Sequence, residues 1–518
     1  MTIAEDTMKS RFTMRLLVAL LLAGALFAPI AAQDQGQILR LSVMYRTVKN
    51  TAKMSEETRK EAEALEAKAR AANNEKKFDE ALKHLSRGLA LMRNQPWTPS
   101  TALAAALQVR VGAAILDPGA PVEVTVSRQF APDELLDGPA DVTLEIRSAK
   151  QGLAKTLMTV RGVSAGVAAP LKMEAAVPDL PDGDYQLAVT LTAKSGDPIV
   201  KPAPVRIARG LTAQARDLKA RAAAVGATLR EKKQDALLAA LPGIEYAASM
   251  IDLINAGQIN LNTDVRTAFA NAGAALDQLA RGEHPLRARR GDIHWAYRSK
   301  VDDTLQPYRF FVPSNYDPAK KWPLVVALHG MGGDENSFFV AYDNGVIRRI
   351  AETRGYLVAC PKGRQSASMY MGPAETDVMD VLAEIKREYS IDEDRVFLTG
   401  HSMGGYGTWS VAANHPGEFA ALAPFAGGGT PFTTPKLRGI AHIPWIVIHG
   451  DADPTVPVDE SRKMVKLGQE HGTKIKYIEV PGGDHSNIVV PNMNAVFDWF
   501  DAHKRQPRGA VKAAGGQQ

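Results

Sequence analysis

The feature that constrains this chain most is the hexapeptide GHSMGG at residues 400–405, which directly follows the apolar run VFLTG. The residues after it, YGTWSVAAN, can continue as a helix. A serine in GxSxG spacing between a buried strand and a helix predicts a sharp turn with a strained serine backbone. Gly400 and Gly404 would let the strand and the helix approach closely. The pattern therefore predicts that the hydroxyl of Ser402 points into a cleft at the carboxyl end of its strand.

Six apolar runs of strand length alternate with helical segments between residues 285 and 505. They are LVVAL (324–328), YLVAC (356–360), VFLTG (396–400), AALAPF (420–425), WIVIHG (445–450) and IKYIEV (475–480). Runs this continuously apolar are typical of parallel strands covered by helices on both faces. The sequence thus predicts an α/β domain over residues 285–505, with a mostly parallel sheet.

A serine hydroxyl needs a base to take its proton and an acid to orient that base. His485 lies in PGGDHS after the run IKYIEV, and Asp453 lies in HGDADPTVP after the run WIVIHG. The carboxyl ends of parallel strands share one edge of a sheet, so both side chains are expected beside Ser402. The order serine, aspartate, histidine is that of the α/β-hydrolase fold. We therefore predict a triad of Ser402, His485 and Asp453.

Two other carboxylates compete for the place of the acid. Asp451 precedes Asp453 by two residues, and Asp484 flanks the histidine. Asp453 is favoured because it follows its strand by a short loop whose course Pro454 fixes. The sequence alone leaves Asp451 as the main alternative.

A serine nucleophile of this kind also needs hydrogen-bond donors for the oxyanion of the tetrahedral intermediate. In this fold they are the backbone N–H after the nucleophile and one from a loop after an early strand. Met403 would supply the first and Met331, in the HGMGG loop (residues 329–333), the second. Gly330 and Gly332 would allow the backbone to come close. One such donor is typically worth about 3 to 4 kcal/mol.

Four stretches resemble one esterase group of the α/β-hydrolases: LHGMGGDENSFF, SIDEDRVFLTGHSMGGYGTW, HGDADPTVP and GGDHS. That group contains feruloyl esterases, polyhydroxybutyrate depolymerases and predicted prolyl-oligopeptidase-type peptidases. The resemblance covers about residues 290–503. It implies ester hydrolysis through an acyl-enzyme, with the triad and the oxyanion donors named above. Because these families share the motifs, the substrate stays open among aryl esters, acetylated or feruloylated sugars, polyesters and peptides.

A peptidase of the prolyl-oligopeptidase kind is the alternative activity. Such enzymes usually carry an upstream β-propeller, and the sequence shows no regular four-stranded blade repeats. An esterase is therefore favoured.

The region before residue 285 falls into three segments. Residues 33–107 have helical apolar spacing and predict a helical hairpin with a single tetratricopeptide-like unit. Residues 108–208 contain the alternating runs VEVTV, VTLEI and YQLAVTL, which predict a small β-sandwich. Residues 209–284 predict a helical connector. Either these segments are structural, or the N-terminal half, with its helical hairpin and sandwich, binds a polymer or a protein partner.

The two ends of the chain have their own signatures. Lys9, Arg11 and Arg15 precede an apolar run, Leu16–Phe27, and small residues end at Ala32. This pattern predicts a signal peptide over residues 1–32 and a periplasmic or secreted protein. An uncleaved anchor is the alternative, but the run is shorter than the ~20 residues that a membrane span prefers. The Gly- and Gln-rich tail, residues 506–518, is predicted to be disordered.

Several other classes of function are disfavoured. Lys and Arg total 62 against 57 acidic residues and are interspersed with them, so no basic face for nucleic acid is predicted. The single cysteine, Cys360, lies in the apolar run GYLVAC and reads as a buried strand residue. No phosphate loop and no HExxH pattern occurs. We expect no cofactor and no metal ion.

Overall fold

A computed structural model of the protein describes residues 29–136, 138–148, 152–194, 196–287, 289–365 and 367–505. The described chain divides into two compact units. The first contains the residues up to Gly210 and the segment Ile254–Leu261. The second contains Leu211–Leu253 and the residues from Asn262 onward. The predicted signal segment lies outside the described residues except for its last four, and the predicted tail, 506–518, lies outside them.

In the described part of the chain, the first unit has four helices before its first strand: α1 (Pro29–Thr51), α2 (Glu56–Asn74), α3 (Phe78–Met92) and α4 (Pro99–Ala106). Ser55 caps α2 by accepting the N–H of Thr58. Gly88 of α3 lets Tyr45 of α1 pack closely, since a Cβ at Gly88 would lie 2.1 Å from the Tyr45 hydroxyl. The hairpin of α2 and α3 therefore packs against a third helix. That helix begins at Pro29, so the predicted cleavage point after Ala32 falls inside it.

Eight strands follow in the first unit: β1 (Leu107–Val111), β2 (Ile115–Leu116), β3 (Pro121–Arg128), β4 (Pro139–Ser148), β5 (Leu153–Ser164), β6 (Leu171–Ala176), β7 (Gly183–Ala193) and β8 (Ile199–Ile207). They form a three-stranded sheet, β1-β3-β6, and a five-stranded sheet, β2-β8-β7-β4-β5. The inward residues of both sheets, such as Val124 and Leu144, share one apolar core. The alternation of apolar and polar residues along these strands thus gives two sheets packed face to face.

The second unit begins with α5 (Leu211–Glu231), α6 (Asp235–Leu238), α7 (Leu241–Asn255) and α8 (Val265–Ala280). They lie in the segment predicted as a helical connector, residues 209–284, and α5, α6, α8 and nearly all of α7 fall in the same compact unit as the sheet described next. Among the described residues, one stretch, Asp235–Asn255, is long and apolar enough for a membrane span. Because 56% of that window is buried, it is built like the core helix of a soluble protein.

An eight-stranded sheet forms the centre of the second unit, in the order β16-β15-β14-β13-β11-β12-β10-β9. Its strands are β9 (Gly291–Arg298), β10 (Leu305–Val312), β11 (Trp322–Leu328), β12 (Leu357–Pro361), β13 (Ile391–His401), β14 (Ala421–Phe425), β15 (Trp445–Gly450) and β16 (Ile475–Val480). The six predicted strands are β11–β16, and all are parallel. The sequence did not predict β9 and β10, which form an antiparallel hairpin at one edge.

Among the described residues, five helices lie between these strands and a sixth follows β16: α9 (Ser337–Val340), α10 (Val346–Arg354), α11 (Pro373–Glu388), α12 (Met403–Asn414), α13 (Asp459–Glu470) and, after β16, α14 (Val489–Asp501). A 3₁₀ turn covers Thr434–Ile440. Helices α10 and α14 share one core with alternate residues of β11, Val325 and Ala327. The residues between these, such as Val326, are also fully buried, so both faces of the sheet are covered. The predicted fold class, α/β with a mostly parallel sheet, is therefore observed.

Candidate active site

The turn at Ser402 joins β13 directly to α12. Ser402 has φ 58° and ψ −118°, a backbone conformation that non-glycine residues rarely adopt. Its N–H donates to the carbonyl of Phe425 on the neighbouring strand at 2.9 Å. Gly404 has no room for a side chain, because a Cβ there would lie 1.9 Å from the carbonyl oxygen of Leu328. Gly400 is equally confined by Gly404. Close approach of strand and helix thus holds Ser402 at the carboxyl edge of the sheet.

The structure brings the three predicted triad residues together. The Nε2 atom of His485 lies 2.9 Å from the Oγ atom of Ser402, and its Nδ1 atom lies 2.7 Å from Oδ2 of Asp453. A proton on Nδ1 is donated to the carboxylate, which leaves the lone pair of Nε2 facing the serine hydroxyl. His485 is partly buried and the side chain of Asp453 is inaccessible to solvent. This chain of hydrogen bonds can transfer a proton from Ser402.

The three candidate acids have different surroundings. Asp453 also accepts the backbone N–H groups of Thr455 and Val456, at 2.7 and 2.9 Å. Burial raises the pKa of Asp453, but hydrogen bonds from two histidines and these N–H groups outweigh it and hold the pKa well below its usual range. Asp451 is exposed and accepts the N–H of Gly482. Asp484 is exposed and accepts N–H groups of its own loop. The geometry singles out Asp453.

Sequence reasoning missed His449, which lies behind the carboxylate of Asp453. Its side chain is fully buried, with Nε2 at 3.2 Å from Oδ2 of Asp453 and 3.0 Å from the carbonyl of Val456. Its Nδ1 atom lies 2.7 Å from the hydroxyl of Ser461, which donates to the carbonyl of Gly427. His449 and His485 therefore contact the same oxygen of Asp453. The signal was in the sequence, because His449 is the penultimate residue of the strand that carries the loop of Asp453.

His401 was also missed, although it precedes Ser402 in the motif. Its Nε2 atom donates to the backbone carbonyl of His485 at 2.6 Å, and the hydroxyl of Tyr342 lies 2.8 Å from its Nδ1 atom. Burial, and then the charge of His485, lower the pKa of His401 to about 4. His401 is therefore neutral near pH 7, donates through Nε2 and accepts the Tyr342 proton at Nδ1. It fixes the backbone of the histidine loop.

The HGMGG loop lies against the turn of Ser402. A Cβ at Gly330 would stand 3.4 Å from the Cβ of Ser402, and Gly332 has φ +83°, which favours glycine. The backbone of Met331 lies between these two glycines, and Met403 is the first residue of α12. Both imidazole nitrogens of His329 face backbone carbonyls at 2.8 Å, as expected for a structural residue. Of the two predicted oxyanion donors, Met403 thus directly follows the serine, and Met331 lies in the loop that packs against it.

A cavity of about 660 Å³ opens at Ser402. Residues of the HGMGG loop, Tyr342 and Asp343 line one part of it, and the segment from Asp484 to Asn487 together with Val490 lines another. Among the described residues, no group of three or more His, Cys, Asp or Glu side chains is arranged to hold a metal ion. The arrangement can carry out acyl transfer with side chains and backbone alone.

Comparison with known proteins identifies the class of this unit. A family described as "Putative esterase" matches residues 306–462. A "Bifunctional acetylxylan esterase/xylanase XynS20E" of Neocallimastix patriciarum is 30% identical over 159 residues, which are 30% of this chain and 22% of that protein. A "Probable feruloyl esterase C" of Aspergillus oryzae is 28% identical over 197 residues, 36% of this chain and 70% of that protein.

Two further similarities extend the comparison. A poly(3-hydroxyoctanoate) depolymerase of Pseudomonas fluorescens is 26% identical over 263 residues, 43% of this chain and 94% of that protein. The crystal structure of a thermostable esterase aligns with a TM-score of 0.39 and 19% identity, over 77% of this chain and all of that one. The chain thus spans about a fifth of the length of the bifunctional enzyme and a larger share of the length of the other three proteins. The family and sequence matches confirm the predicted resemblance and the predicted class, a carboxylic-ester hydrolase.

Proposed function

We propose, from the premise that residues 306–462 belong to the esterase group of the α/β-hydrolases, that this protein is a serine esterase whose triad is Ser402, His485 and Asp453. Oγ of Ser402 forms a bond to the ester carbonyl carbon while its proton passes to Nε2 of His485. The C–O bond to the alcohol then breaks, and His485 gives the proton to the departing alcohol. Water, deprotonated by His485, releases the acid and restores Ser402. The observation that carries this proposal is the hydrogen-bond chain Asp453–His485–Ser402.

The oxyanion of each tetrahedral intermediate would be bound by the backbone N–H groups of Met331 and Met403. The close approach of Gly330 to Ser402 supports this assignment, because it places the HGMGG loop beside the attacking oxygen. Asp453 stays ionised, so it stabilises the imidazolium that His485 becomes during each step. The site supplies the base, the charge stabilisation and the donors from this chain's own residues.

The cavity indicates a small acyl or alcohol group at the reacting centre. Its lining mixes apolar groups, such as Val490 and Ala341, with the polar groups of Tyr342, Ser337 and Asn487. Two relatives are named for feruloyl esters and for a polyester, and both substrate classes have an apolar part next to the ester bond. We propose aryl esters and short hydroxyacid esters as the first substrates to test. Faster turnover of peptide amides than of esters would instead support a peptidase.

Substitution of the nucleophile tests the activity. Ser402→Ala should abolish turnover of p-nitrophenyl acetate and covalent labelling by a fluorophosphonate, while thermal unfolding stays close to wild type. Ser486→Ala is the matched control, because Ser486 lines the same cavity and is exposed. It should change kcat/KM by less than about threefold. Turnover that persists in Ser402→Ala would overturn the proposal.

We also propose that the protein is exported to the periplasm or secreted. The support is the basic segment followed by the apolar run at residues 16–27. Mass spectrometry of protein recovered from the periplasm or the medium should find Gln33 as the first residue. A chain that retains residues 1–32 in a membrane fraction would favour the anchor instead. Partner binding by the helical region, residues 33–107, stays a prediction that pull-down with the full chain can test.

A further inference from the structure

Glu335 is a buried carboxylate just beyond the HGMGG loop. It is 2% exposed, and its Oε1 atom accepts Nε2–H of His294, on the edge strand β9, at 2.9 Å. Burial raises the pKa of Glu335, but its hydrogen bond with His294 and the charge of Lys362 lower it to about 2. The next residue, Asn336, accepts a hydrogen bond from Arg309 of β10 at 2.8 Å. The end of the loop is therefore tied to the antiparallel hairpin of the sheet.

Helix α7 packs on the other side of His294. The ring of Tyr246 meets the imidazole edge to face, with centroids 5.4 Å apart. Gly243, one turn earlier in α7, packs directly against the Trp295 side chain of β9, since a Cβ at Gly243 would stand 2.2 Å from a carbon of that ring. Glu245 pairs with Arg298 at 2.5 Å. Helix α7 thus contacts the edge strand through the side chains of His294, Trp295 and Arg298.

These contacts form a continuous path from α7 to the nucleophile. Tyr246 contacts His294, His294 holds Glu335, and the loop that ends there runs back to Gly330 beside Ser402. Within that loop, the N–H of Gly333 donates to the carbonyl of Gly330 at 3.0 Å, which closes residues 330–333 into a turn around Met331. A displacement at Glu335 would therefore reach the backbone of Met331.

We propose that Tyr246 and Glu335 are positioning residues, through which helix α7 holds the backbone that supplies the second oxyanion donor. This inference rests on the proposed esterase function. It gives the helices before the sheet a part in the reaction that their sequence did not indicate. Neither residue lines the cavity at Ser402, so both act through the loop.

The expected signature is a loss in kcat with little change in KM. The oxyanion donors bind the charge that develops in the transition state more strongly than the neutral ester. A displacement of about 1 Å in a catalytic group can cost about 100-fold in rate. Tyr246→Ala and Glu335→Ala should each lower kcat by about 10- to 100-fold and change KM by less than about threefold. The double variant should be scarcely worse than either single one, because both break the same path.

Two controls separate positioning from general damage. Tyr246→Phe keeps the ring, and the hydroxyl has no hydrogen-bond partner among the described residues, so it should keep nearly wild-type kcat. Leu276→Ala removes a buried side chain from the neighbouring helix α8. It should lower the melting temperature and leave kcat within about threefold. Should Tyr246→Ala fail to fold, Tyr246→Leu keeps most of the volume and loses the edge-to-face contact.

A transition-state analogue gives the deciding measurement in the full-length protein. A trifluoromethyl ketone forms a hemiketal oxyanion on Ser402, so its Ki should rise in Tyr246→Ala and Glu335→Ala in parallel with the fall in kcat. Folded variants that keep wild-type kcat and Ki would refute the inference. Absence of fluorophosphonate labelling of Ser402 in the wild type would instead refute the esterase itself, so the two failures can be told apart.

Discussion

Replacing Asp453 by asparagine tests the reasoning about the triad most directly. The change is nearly isosteric, yet it alters a group that accepts four hydrogen bonds, from His485, His449 and the N–H groups of Thr455 and Val456. An amide has one acceptor oxygen and adds an NH₂ group. With the NH₂ toward His485, Nδ1 must accept, so the proton moves to Nε2 and faces Ser402. The histidine can then no longer take the serine proton.

The expected loss follows from this change of tautomer. Serine hydrolases with the wrong histidine tautomer lose about 10⁴-fold in kcat. His449 also contacts this group, so it can favour either orientation of the amide, with the NH₂ group or with the oxygen toward His485. We therefore expect kcat to fall by about 10³- to 10⁴-fold, which is about 4 to 5 kcal/mol of transition-state stabilisation. The assay is kcat/KM on p-nitrophenyl acetate, with the melting temperature measured on the same samples.

Two matched variants complete the experiment. Asp451→Asn and Asp484→Asn make the same chemical change at exposed sites in the same two loops, and each should stay within about threefold of wild type. A loss in Asp451→Asn as large as in Asp453→Asn would refute the assignment. So would an Asp453→Asn variant that keeps more than a tenth of the wild-type kcat/KM.

Three further predictions concern the frame around the site. Gly404→Ala should lower the free energy of unfolding by about 3 kcal/mol or more, because its Cβ would meet the Leu328 carbonyl, whereas Gly439→Ala, which meets nothing within 4 Å, should be nearly neutral in thermal unfolding. Cys360 should react with a thiol reagent only on the timescale of unfolding, since burial raises its pKa well above the usual value; rapid labelling of native protein would contradict this. Burial raises the pKa of Glu384 to about 7 against the opposing effects of Arg387 and Tyr308. The contribution of Glu384 to the free energy of unfolding is therefore complete below about pH 4.5 and is lost as the pH rises through 7. Glu384→Gln should therefore flatten the fall in melting temperature between pH 5 and 8, and an unchanged slope would count against it.

The sequence predicted the six parallel strands because five of them have a core of consecutive buried, apolar residues, whereas β16, at the edge of the sheet, is only partly buried and was predicted from its apolar residues. WIVIHG and IKYIEV coincide with β15 and β16 residue for residue. The hairpin of β9 and β10 escaped prediction because its strands carry polar side chains whose partners lie across the hairpin or elsewhere in the fold. His294 pairs with Glu335 and Arg309 with Asp292, and neither pairing has a local sequence signature.

The residues of the site also fall into two groups, those that local sequence motifs predict and those whose roles depend on contacts between distant segments. The turn at Ser402, the placement of His485 and the choice of Asp453 follow from motifs attached to strand ends. The roles of His401 and Tyr246 do not, since they depend on which surfaces meet after folding. Tyr246 lies 156 residues before Ser402 in an Ala-rich helical region that gives no sign of its contact. The helices of this region thus looked like a connector, although they belong to the unit with the sheet.

The way the chain alternates between its two units has a consequence for how such a protein can change in evolution. The first unit includes the short segment Ile254–Leu261, which lies in the chain between two parts of the second. Within the first unit, the side chain of Asn255 accepts the backbone N–H groups of Ala114 and Ile115. An exchange of genes at a single junction near Gly210 would deliver a new N-terminal unit without these bonds. The N-terminal half is therefore expected to be inherited together with the esterase, rather than gained or lost as a separate module.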